Sequence, residues 1–390
     1  MAGPCSADFE RLAQEMGDFG CQGANAVLNL HNPFGLDHWT MPIIEFAMLI
    51  GAGLALRHAL RRRRAGDPTA LAIWLAAIAY LVIVEPPLYF PAQFGLQEQV
   101  GLIFVHNEFS VQFLWQRLPL YIISAYPVMA MLAYELVRVT GVFQRRGAVV
   151  SALTVGFVYH LFYEIFDHVG PQLFWWIWNP SAPTNEPMLA SVPISSMVNF
   201  AVAGPVALTF LIRVLIANRP DAATMSTKTL VLRSTAAGFL MPLGLVLGGL
   251  PVSLLALGDT TNHTAQAVVY WTMLAITGVV AVIALAQAQR DERAGLGTDI
   301  DQVDRRYLLT HAAIYLGALV VAWGAAMPEY FGAIDGITAS GTPVGSLPYA
   351  AVCFVGALGI VALIGAKRPA PAEPKPEADE VADLAMAADQ

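Results

Sequence analysis

Nine segments of about 20 mostly apolar residues, the length that crosses the hydrocarbon core of a membrane, limit what this sequence can fold into. An α-helix satisfies its own backbone hydrogen bonds inside lipid, whereas membrane-spanning β-strands are short and alternate in hydropathy. The chain is therefore predicted to be an all-α, polytopic helical membrane protein. The predicted spans cover residues 41–60, 69–90, 118–138, 148–168, 189–212, 234–257, 265–288, 307–327 and 348–366.

The composition favours this class and excludes several others. Charged residues make up 13% of the 390-residue chain, about half the fraction of a soluble domain, and 56% of the residues are hydrophobic. A disordered chain, a nucleic-acid binder and a small disulfide-rich scaffold are excluded as the main body, and no nucleic-acid partner is expected. The sequence also lacks the P-loop, HExxH and nucleophile-elbow motifs.

The basic residues predict how the chain is oriented. Cytoplasmic loops of membrane proteins are enriched in Lys and Arg, and 19 of the 21 in this chain lie near or after the ends of the odd-numbered spans. Arg11 and Arg117 fall on the other side. We therefore expect the N-terminus outside and the C-terminus in the cytoplasm. Because Arg greatly outnumbers Lys and Ala is abundant, we expect a bacterial protein of the inner (plasma) membrane.

The chain divides into three predicted regions. Residues 1–40 form an external cap with a short amphipathic helix, in which Phe9, Leu12 and Met16 share one face. Residues 41–368 form the helical bundle, and residues 369–390, rich in Pro, Ala and Glu, form a disordered cytoplasmic tail. Two of the three cysteines lie in the cap, where either a disulfide or two free thiols are compatible with the sequence. They are Cys5 and Cys21.

Ionisable residues within the fourth span are the main functional signal. Each costs about 2.5–3.5 kcal/mol on insertion scales, so each requires a compensating interaction or a function. His160, Glu164 and His168 follow one another at i,i+4, and Asp167 lies at i+7 from His160, which places all four on one helix face near the external side.

Other polar and aromatic residues are expected at the same depth, whereas Glu135 and His311 lie near the opposite membrane surface and are expected to reach it or to pair locally. The residues at the external depth belong to the first, second and fifth spans, to the loop before the third span, and to an aromatic run after the fourth. They are Glu45, Glu85, His106, Trp175, Trp176, Trp178 and Asn199.

Four hypotheses account for this polar cluster. It locks helices together by hydrogen bonds, or it relays protons or ions. It holds a divalent metal such as Zn or Fe, with His160, Glu164, His168 and His106 as the candidate ligands. Finally, it carries acid–base chemistry on a lipid-soluble substrate, since a carboxyl group in an apolar pocket is favoured in the neutral form that a general acid requires.

The aromatic run has two interpretations. Trp175, Trp176 and Trp178 are typical of a belt at the membrane interface, and they are also candidate substrate contacts. Glu45 and Asn199, at the starts of the first and fifth spans, are further candidate substrate contacts.

The middle of the chain, about residues 80–205, resembles the carotenoid hydratase and heterodimeric lycopene cyclase group of membrane proteins. The resemblance rests on the acidic stretch 163–167, Trp176-Ile177-Trp178, Val192-Pro193-Ile194 and the pair Asn199-Phe200. The chain departs from that group in having His168 after Asp167, where the group has Pro, and in lacking Gly-Trp after the Asn-Phe pair.

The resemblance implies protonation of a terminal isoprenoid double bond, followed by water addition or ring closure. Candidate catalytic residues are Glu164 and Asp167 as the acid, His160 as the group that positions water, and Glu85. The partner would be a membrane lipid or an isoprenoid. The alternative is a non-enzymatic membrane subunit, with a membrane-protein partner, or a proton-coupled transporter.

Overall fold

The computed structural model describes residues 5–17, 19–256, 261–297 and 299–367. Within these ranges, nine helical segments are long and apolar enough to cross a membrane, and each coincides with one predicted span. The predicted helical membrane fold is thereby confirmed, whereas the orientation of the chain stays a prediction. The predicted tail, 369–390, lies outside the described residues. The nine segments are Thr40–Arg64, Thr69–Tyr89, Leu120–Thr140, Ala148–Leu173, Ser196–Ala217, Thr227–Ser253, His263–Arg293, Gln302–Gly332 and Leu347–Ala366.

Eleven α-helices and seven short strands are present in the described part of the chain. The α-helices are α1 (Ala7–Gly17), α2 (Thr40–Arg64), α3 (Thr69–Tyr89), α4 (Leu120–Thr140), α5 (Val142–Arg145), α6 (Ala148–Asp167), α7 (Gly204–Ile212), α8 (Thr227–Ser253), α9 (His263–Arg293), α10 (Gln302–Gly332) and α11 (Leu347–Ala366). The strands are β1 (Asn29–Leu30), β2 (Phe104–His106), β3 (Val111–Phe113), β4 (Leu118–Pro119), β5 (Trp176–Trp178), β6 (Met188–Leu189) and β7 (Val192–Pro193).

Two predicted spans begin later than expected. The fifth was expected from residue 189, but Met188–Leu189 and Val192–Pro193 pair as an antiparallel hairpin, and the helical segment begins at Ser196. The third was expected from residue 118, where Leu118–Pro119 is a strand instead. Apolar content alone does not distinguish a buried hairpin from the first turn of a helix.

The fifth membrane-length segment is irregular. Its first part, Ser196–Ala203, and its last part, Arg213–Ala217, are π-helical, and α7 lies between them. π-Helical turns are rare and occur frequently at functional sites.

The N-terminal segment covers one end of the bundle, which we call the cap end. As predicted, α1 buries Phe9, Leu12 and Met16 on one face. These side chains pack against Val105 and Ile177 of the loops that follow α3 and α6. A disulfide joins Cys5 to Cys21, closing the segment that contains α1. The cap therefore includes long loops of the bundle as well as the described residues before α2.

A two-stranded ribbon, formed by β2 and β5, separates the cap from the bundle. The strands are antiparallel, with Val105 opposite Ile177 and His106 opposite Trp176. Alternate side chains of a strand point to opposite faces, so Val105 and Ile177 face α1 while their neighbours in both strands face the bundle interior.

Arg117 ties the cap to the end of α3. Its guanidinium lies 3.9 Å above the Phe9 ring and 4.7 Å from the Phe90 ring, and it donates a hydrogen bond to the Tyr89 carbonyl at 3.0 Å. Burial lowers the pKa of Arg117 to about 10, so the group stays charged at neutral pH. A buried cation above two aromatic faces stabilises this junction.

The bundle is arranged around α6. α3, α4, α6 and the fifth segment surround an internal space, α8 packs outside α3 and α7, and α9 and α11 pack on the other side of α6. Long apolar side chains remain exposed on α8, α9 and α11, as expected for helices that face lipid. Examples are Leu243, Leu247, Val268, Ile276 and Val352.

Candidate functional site

An elongated cavity lies inside the ring of α3, α4, α6 and the fifth segment. It contains about 1040 Å³ of space that protein atoms do not fill, its opening included. Binding pockets for small molecules are mostly apolar with few polar groups. The cavity therefore has the character of a ligand site.

The cavity is deep, because three helices line it over the same length. Lining residues extend from Ile73 to Glu85 on α3, from Ile122 to Tyr134 on α4, and from Val155 to Asp167 on α6. Each interval is twelve residues, which corresponds to about 18 Å at the helical rise of about 1.5 Å per residue. The cavity thus runs through more than half of a hydrocarbon core of about 30 Å.

The end of the cavity nearest the cap, which we call the acid end, carries two carboxyl groups. Tyr126 donates a hydrogen bond to Oε1 of Glu85, and the Ser196 hydroxyl donates to Oδ2 of Asp167 at 3.0 Å. Oε2 of Glu85 and Oδ1 of Asp167 are buried and have no hydrogen-bond partner among the described residues. Both side chains line the cavity, and the Tyr121 hydroxyl lies within electrostatic range of both.

Two indole groups face the same end. Trp176 and Trp178 of β5 line the cavity, and their Nε1 atoms are buried without a partner in the part of the chain that the structure describes. Buried polar atoms of a protein are almost always paired, so donors and acceptors left open around one cavity are available to bind a polar group.

Local geometry brings Trp176 into this position. A Cβ atom on Gly170 would lie 2.0 Å from the Trp176 ring, so only glycine permits this approach. The Phe166 ring, on α6, packs against Trp176 with ring centres 4.8 Å apart. The turn after α6 and the ribbon together place the indole beside Asp167.

His106, on β2, is a further polar group at the acid end. Its Nδ1 lies 3.2 Å from the Tyr121 hydroxyl. Burial is the main cause that lowers the pKa of His106 to about 3, so the ring is neutral at ordinary pH. Since one nitrogen of a neutral imidazole donates and the other accepts, His106 can hold a water molecule or a hydroxyl group without adding charge.

The remaining wall is apolar and rich in tyrosine, and none of these tyrosines was predicted as a site residue. Tyr159 and Tyr163 lie four residues apart on α6, and this i,i+4 spacing could have indicated a shared face. The tyrosines that line the cavity are Tyr80, Tyr126, Tyr134, Tyr159 and Tyr163.

Three of the predicted site residues on α6 turn toward α11 and do not line the cavity. His160 Nδ1 donates to the Met197 carbonyl at 3.0 Å, and its Nε2 accepts from the Tyr349 hydroxyl at 2.7 Å. His168 Nδ1 accepts from the Ser346 backbone N–H at 3.1 Å, which leaves its proton on Nε2.

Glu164 lies between these two histidines. Its carboxyl oxygens are 3.5 Å from His160 Nδ1 and 3.6 Å from His168 Nε2. The predicted common face is therefore divided: Asp167 lines the cavity, whereas His160, Glu164 and His168 connect α6 to α11. A helix face of 3.6-residue period is wide enough to meet two neighbours.

Of the five candidate substrate contacts, only Trp176 and Trp178 line the cavity. Trp175 donates from Nε1 to the Thr40 hydroxyl at 3.1 Å, and Glu45 accepts from the Ser110 backbone at 3.2 Å. Asn199 lies against α8, near Gly249. The side chains of Trp175, Trp176 and Trp178 are 0%, 4% and 8% exposed, so they do not form the exposed interfacial belt that was the other expectation.

The four candidate metal ligands do not form one ligand set. His106 lies on the cavity side of α6, whereas the other three lie on the α11 side. Among the described residues, three potential ligand groups approach within 4.8 Å of one another only at Cys5, Glu10 and Cys21, and the two cysteines are joined in the disulfide.

A second polar cluster, which we call the charge network, lies at the opposite end of the bundle. Glu135 is buried and pairs with His58 at 3.0 Å and with Arg138 at 2.8 Å, so it pairs locally and does not reach the surface. Asp304 is also buried. It pairs with Arg62 at 2.7 Å, with Arg138 at 2.5 Å, and with Arg61.

His311 was likewise expected to reach the membrane surface or to pair locally. It is buried, and its Nδ1 lies 3.0 Å from the Tyr307 hydroxyl. Nothing in the sequence singles out His58 or Asp304, because both lie near the ends of spans, where charged residues are common.

No protein-family model, curated protein or solved structure matches this chain.

Proposed function

We propose that this protein is a membrane enzyme that binds an isoprenoid or similar lipid-soluble molecule in the cavity and transforms it by acid–base chemistry at the acid end. The proposal is supported by one observation above all. Glu85 Oε2, Asp167 Oδ1 and the Nε1 atoms of Trp176 and Trp178 are buried without partners around one end of a long apolar cavity. A molecule with a long hydrocarbon tail and a small polar or reactive head is complementary to this arrangement.

The proposed reaction is reversible hydration of a terminal carbon–carbon double bond. The O–H of neutral Asp167 protonates the less substituted alkene carbon, which yields a tertiary carbocation and the Asp167 carboxylate. Water adds to the cation, and the resulting oxonium group returns a proton to the carboxylate. The sum is addition of one water molecule, so no oxidant or reductant is required. Ring closure would begin with the same protonation and end with loss of a proton.

The residues of the acid end match the charges that form. Hydroxyl groups, not cations, are the hydrogen-bond partners of Asp167 and Glu85, and a buried carboxyl group without a cation is favoured in its neutral form. Aromatic faces stabilise a carbocation through their quadrupoles, and Tyr163, Phe166 and Trp176 line the cavity beside Asp167.

Water positioning is assigned to His106, not to His160. His160 is held by Met197 and Tyr349 outside the cavity, whereas His106 lines the cavity with its Nδ1 beside the Tyr121 hydroxyl.

The experiment uses linear isoprenoids that end in an isopropylidene group, incubated with the full chain in lipid nanodiscs and H₂¹⁸O. We expect an alcohol product carrying one ¹⁸O, measured by mass spectrometry. Asp167→Asn should lower the rate by about 10²- to 10⁴-fold, the usual contribution of a general acid. Glu45→Gln is the matched control, since Glu45 is a buried carboxyl group near the cap that does not line the cavity. Equal rates in Asp167→Asn and wild type would overturn the assignment.

The alternative function, a non-enzymatic subunit or transporter, makes a different prediction. In that case the wild-type chain would leave every isoprenoid unchanged, and Asp167→Asn would affect only binding, partner association or proton movement.

A further inference from the structure

The inner end of the cavity, opposite the acid end, is closed. The residues that line it are buried, and they come from α3, α4, α6 and α7. They are Ile73, Tyr134, Val155, Leu208 and Thr209.

Aromatic and cationic groups support this closed end from behind. The Tyr134 ring packs against Phe143 with ring centres 4.6 Å apart, and the Arg213 guanidinium lies 4.7 Å from the centre of the same Phe143 ring. Arg213 also donates to the Phe143 carbonyl at 3.2 Å. The inner end therefore rests on a packed layer and is not a passage through the bundle.

We propose that this inner end limits the length of the apolar tail that the protein accepts. The inference rests on the proposed function, because a tail reaches the inner end only when the head of the ligand is bound at the acid end. With the head at Glu85 and Asp167, a tail longer than about 18 Å would have to displace packed side chains or pull the head away from its partners. Either outcome lowers affinity by roughly tenfold or more, because each methylene group left unburied lowers affinity about fourfold.

Two alanines determine how much of the cavity is open near its inner end. Ala77 lies four residues after Ile73 on α3, and Ala130 lies four residues before Tyr134 on α4, so both lie about 6 Å from the closed end. They are the smallest side chains at that depth. Larger side chains at either position would occupy the space that the last third of a tail requires.

Ile73 has the opposite effect on cavity length. It lines the inner end from α3, and it is buried. Truncation of the Ile73 side chain would therefore lengthen the cavity at its closed end.

The test measures binding of a homologous series of 2-methylalkan-2-ols of increasing chain length to the full chain in nanodiscs, by native mass spectrometry. These alcohols carry the tertiary hydroxyl group that hydration would produce. We expect wild type to retain the alcohols up to a sharp upper length. Ala130→Leu and Ala77→Leu should each lower that limit by the carbons that span about 6 Å, and Ile73→Ala should raise it. Ala351→Leu, which adds the same atoms on an exposed face of α11, should leave the limit unchanged.

The outcomes separate this inference from the proposed function. The same limit in wild type and in all three cavity variants would overturn the length limit and leave the acid end intact. No retention of any alcohol by wild type would overturn the cavity as the binding site. If one alanine variant fails to fold, the other and Ile73→Ala, which changes the limit in the opposite direction, decide the question.

Discussion

The acid end and the charge network are both buried polar clusters, but their carboxyl groups have different partners. In the charge network, each carboxylate contacts at least two cationic or ionisable basic groups: Glu135 contacts His58 and Arg138, and Asp304 contacts three arginines. At the acid end, the hydrogen-bond partners of Glu85 and Asp167 are neutral hydroxyl groups, and the free oxygens adjoin a cavity.

This difference separates a structural cluster from a candidate site. Buried ions that are mutually paired join helices, and breaking one pair leaves an uncompensated charge. Buried acids with neutral partners and open atoms can exchange a proton with a ligand. Each region contains one buried Glu and one buried Asp. The regions therefore differ in the partners of these carboxyl groups and in the space beside them.

The largest expected effect is loss of stability when the charge network is broken. Asp304→Ala removes a buried carboxylate from the partly buried Arg62 and Arg138, so we expect a loss of about 2–3 kcal/mol in the free energy of unfolding. Asp301→Asn is the control: Asp301 is exposed, pairs with Arg61 at 2.8 Å, and should cost less than about 1 kcal/mol. Denaturant unfolding in detergent measures both. Equal effects of the two variants would contradict the assignment.

The second effect is acid sensitivity at the acid end. The folded-state pKa of His106, about 3, is below its unfolded value of about 6.5. Below pH 6.5 the unfolded state binds a proton that the folded state does not, so the contribution of His106 to the free energy of unfolding is complete above pH 6.5 and is lost as pH falls toward 3. Between pH 7 and pH 5.5 we expect the free energy of unfolding to fall by about 1.3 kcal/mol from this group. Unfolding curves of wild type and His106→Gln check this, and parallel pH profiles would show that His106 is not responsible.

A smaller effect is expected from removing one indole donor. Trp176→Phe keeps a ring beside Phe166 but removes Nε1, so tail-bearing alcohols should bind about fivefold to tenfold more weakly, about 1 kcal/mol. The control is Trp175→Phe, since Trp175 donates to Thr40 and does not line the cavity. Competition binding in nanodiscs gives both affinities. A greater loss in the control would place the ligand elsewhere.

The smallest effect is expected from neutralising an acid-end carboxyl group. Glu85→Gln keeps an oxygen that can accept from Tyr126 and removes no ion pair, so the free energy of unfolding should change by less than about 1 kcal/mol. Thermal unfolding, compared with Asp304→Ala, measures the contrast. A loss of several kcal/mol in Glu85→Gln would mean that the acid-end carboxyl group stabilises the fold as the charge network does.

Much of the fold could be predicted because it depends on local chain properties. Every predicted span coincides with a membrane-length helix, and the buried face of α1 follows from the spacing of Phe9, Leu12 and Met16. Boundaries failed where a few apolar residues serve either structure, as in the hairpin of Met188–Leu189 and Val192–Pro193.

The candidate site was less predictable. Glu85, Asp167, His106, Trp176 and Trp178 were identified and do converge on one cavity. His160, Glu164 and His168 share their helix with Asp167 but contact α11, and no sequence spacing distinguishes these two sides of α6.

By itself, the sequence determined that the chain forms membrane-length helices and where along them costly polar residues lie, because apolar length and helical period are properties of single segments. Only the tertiary structure decided which of those residues share a cavity, which pair with cations, and how deep the cavity is. Those outcomes depend on the neighbours that each helix face meets, and neighbours are set by the packing of the whole bundle.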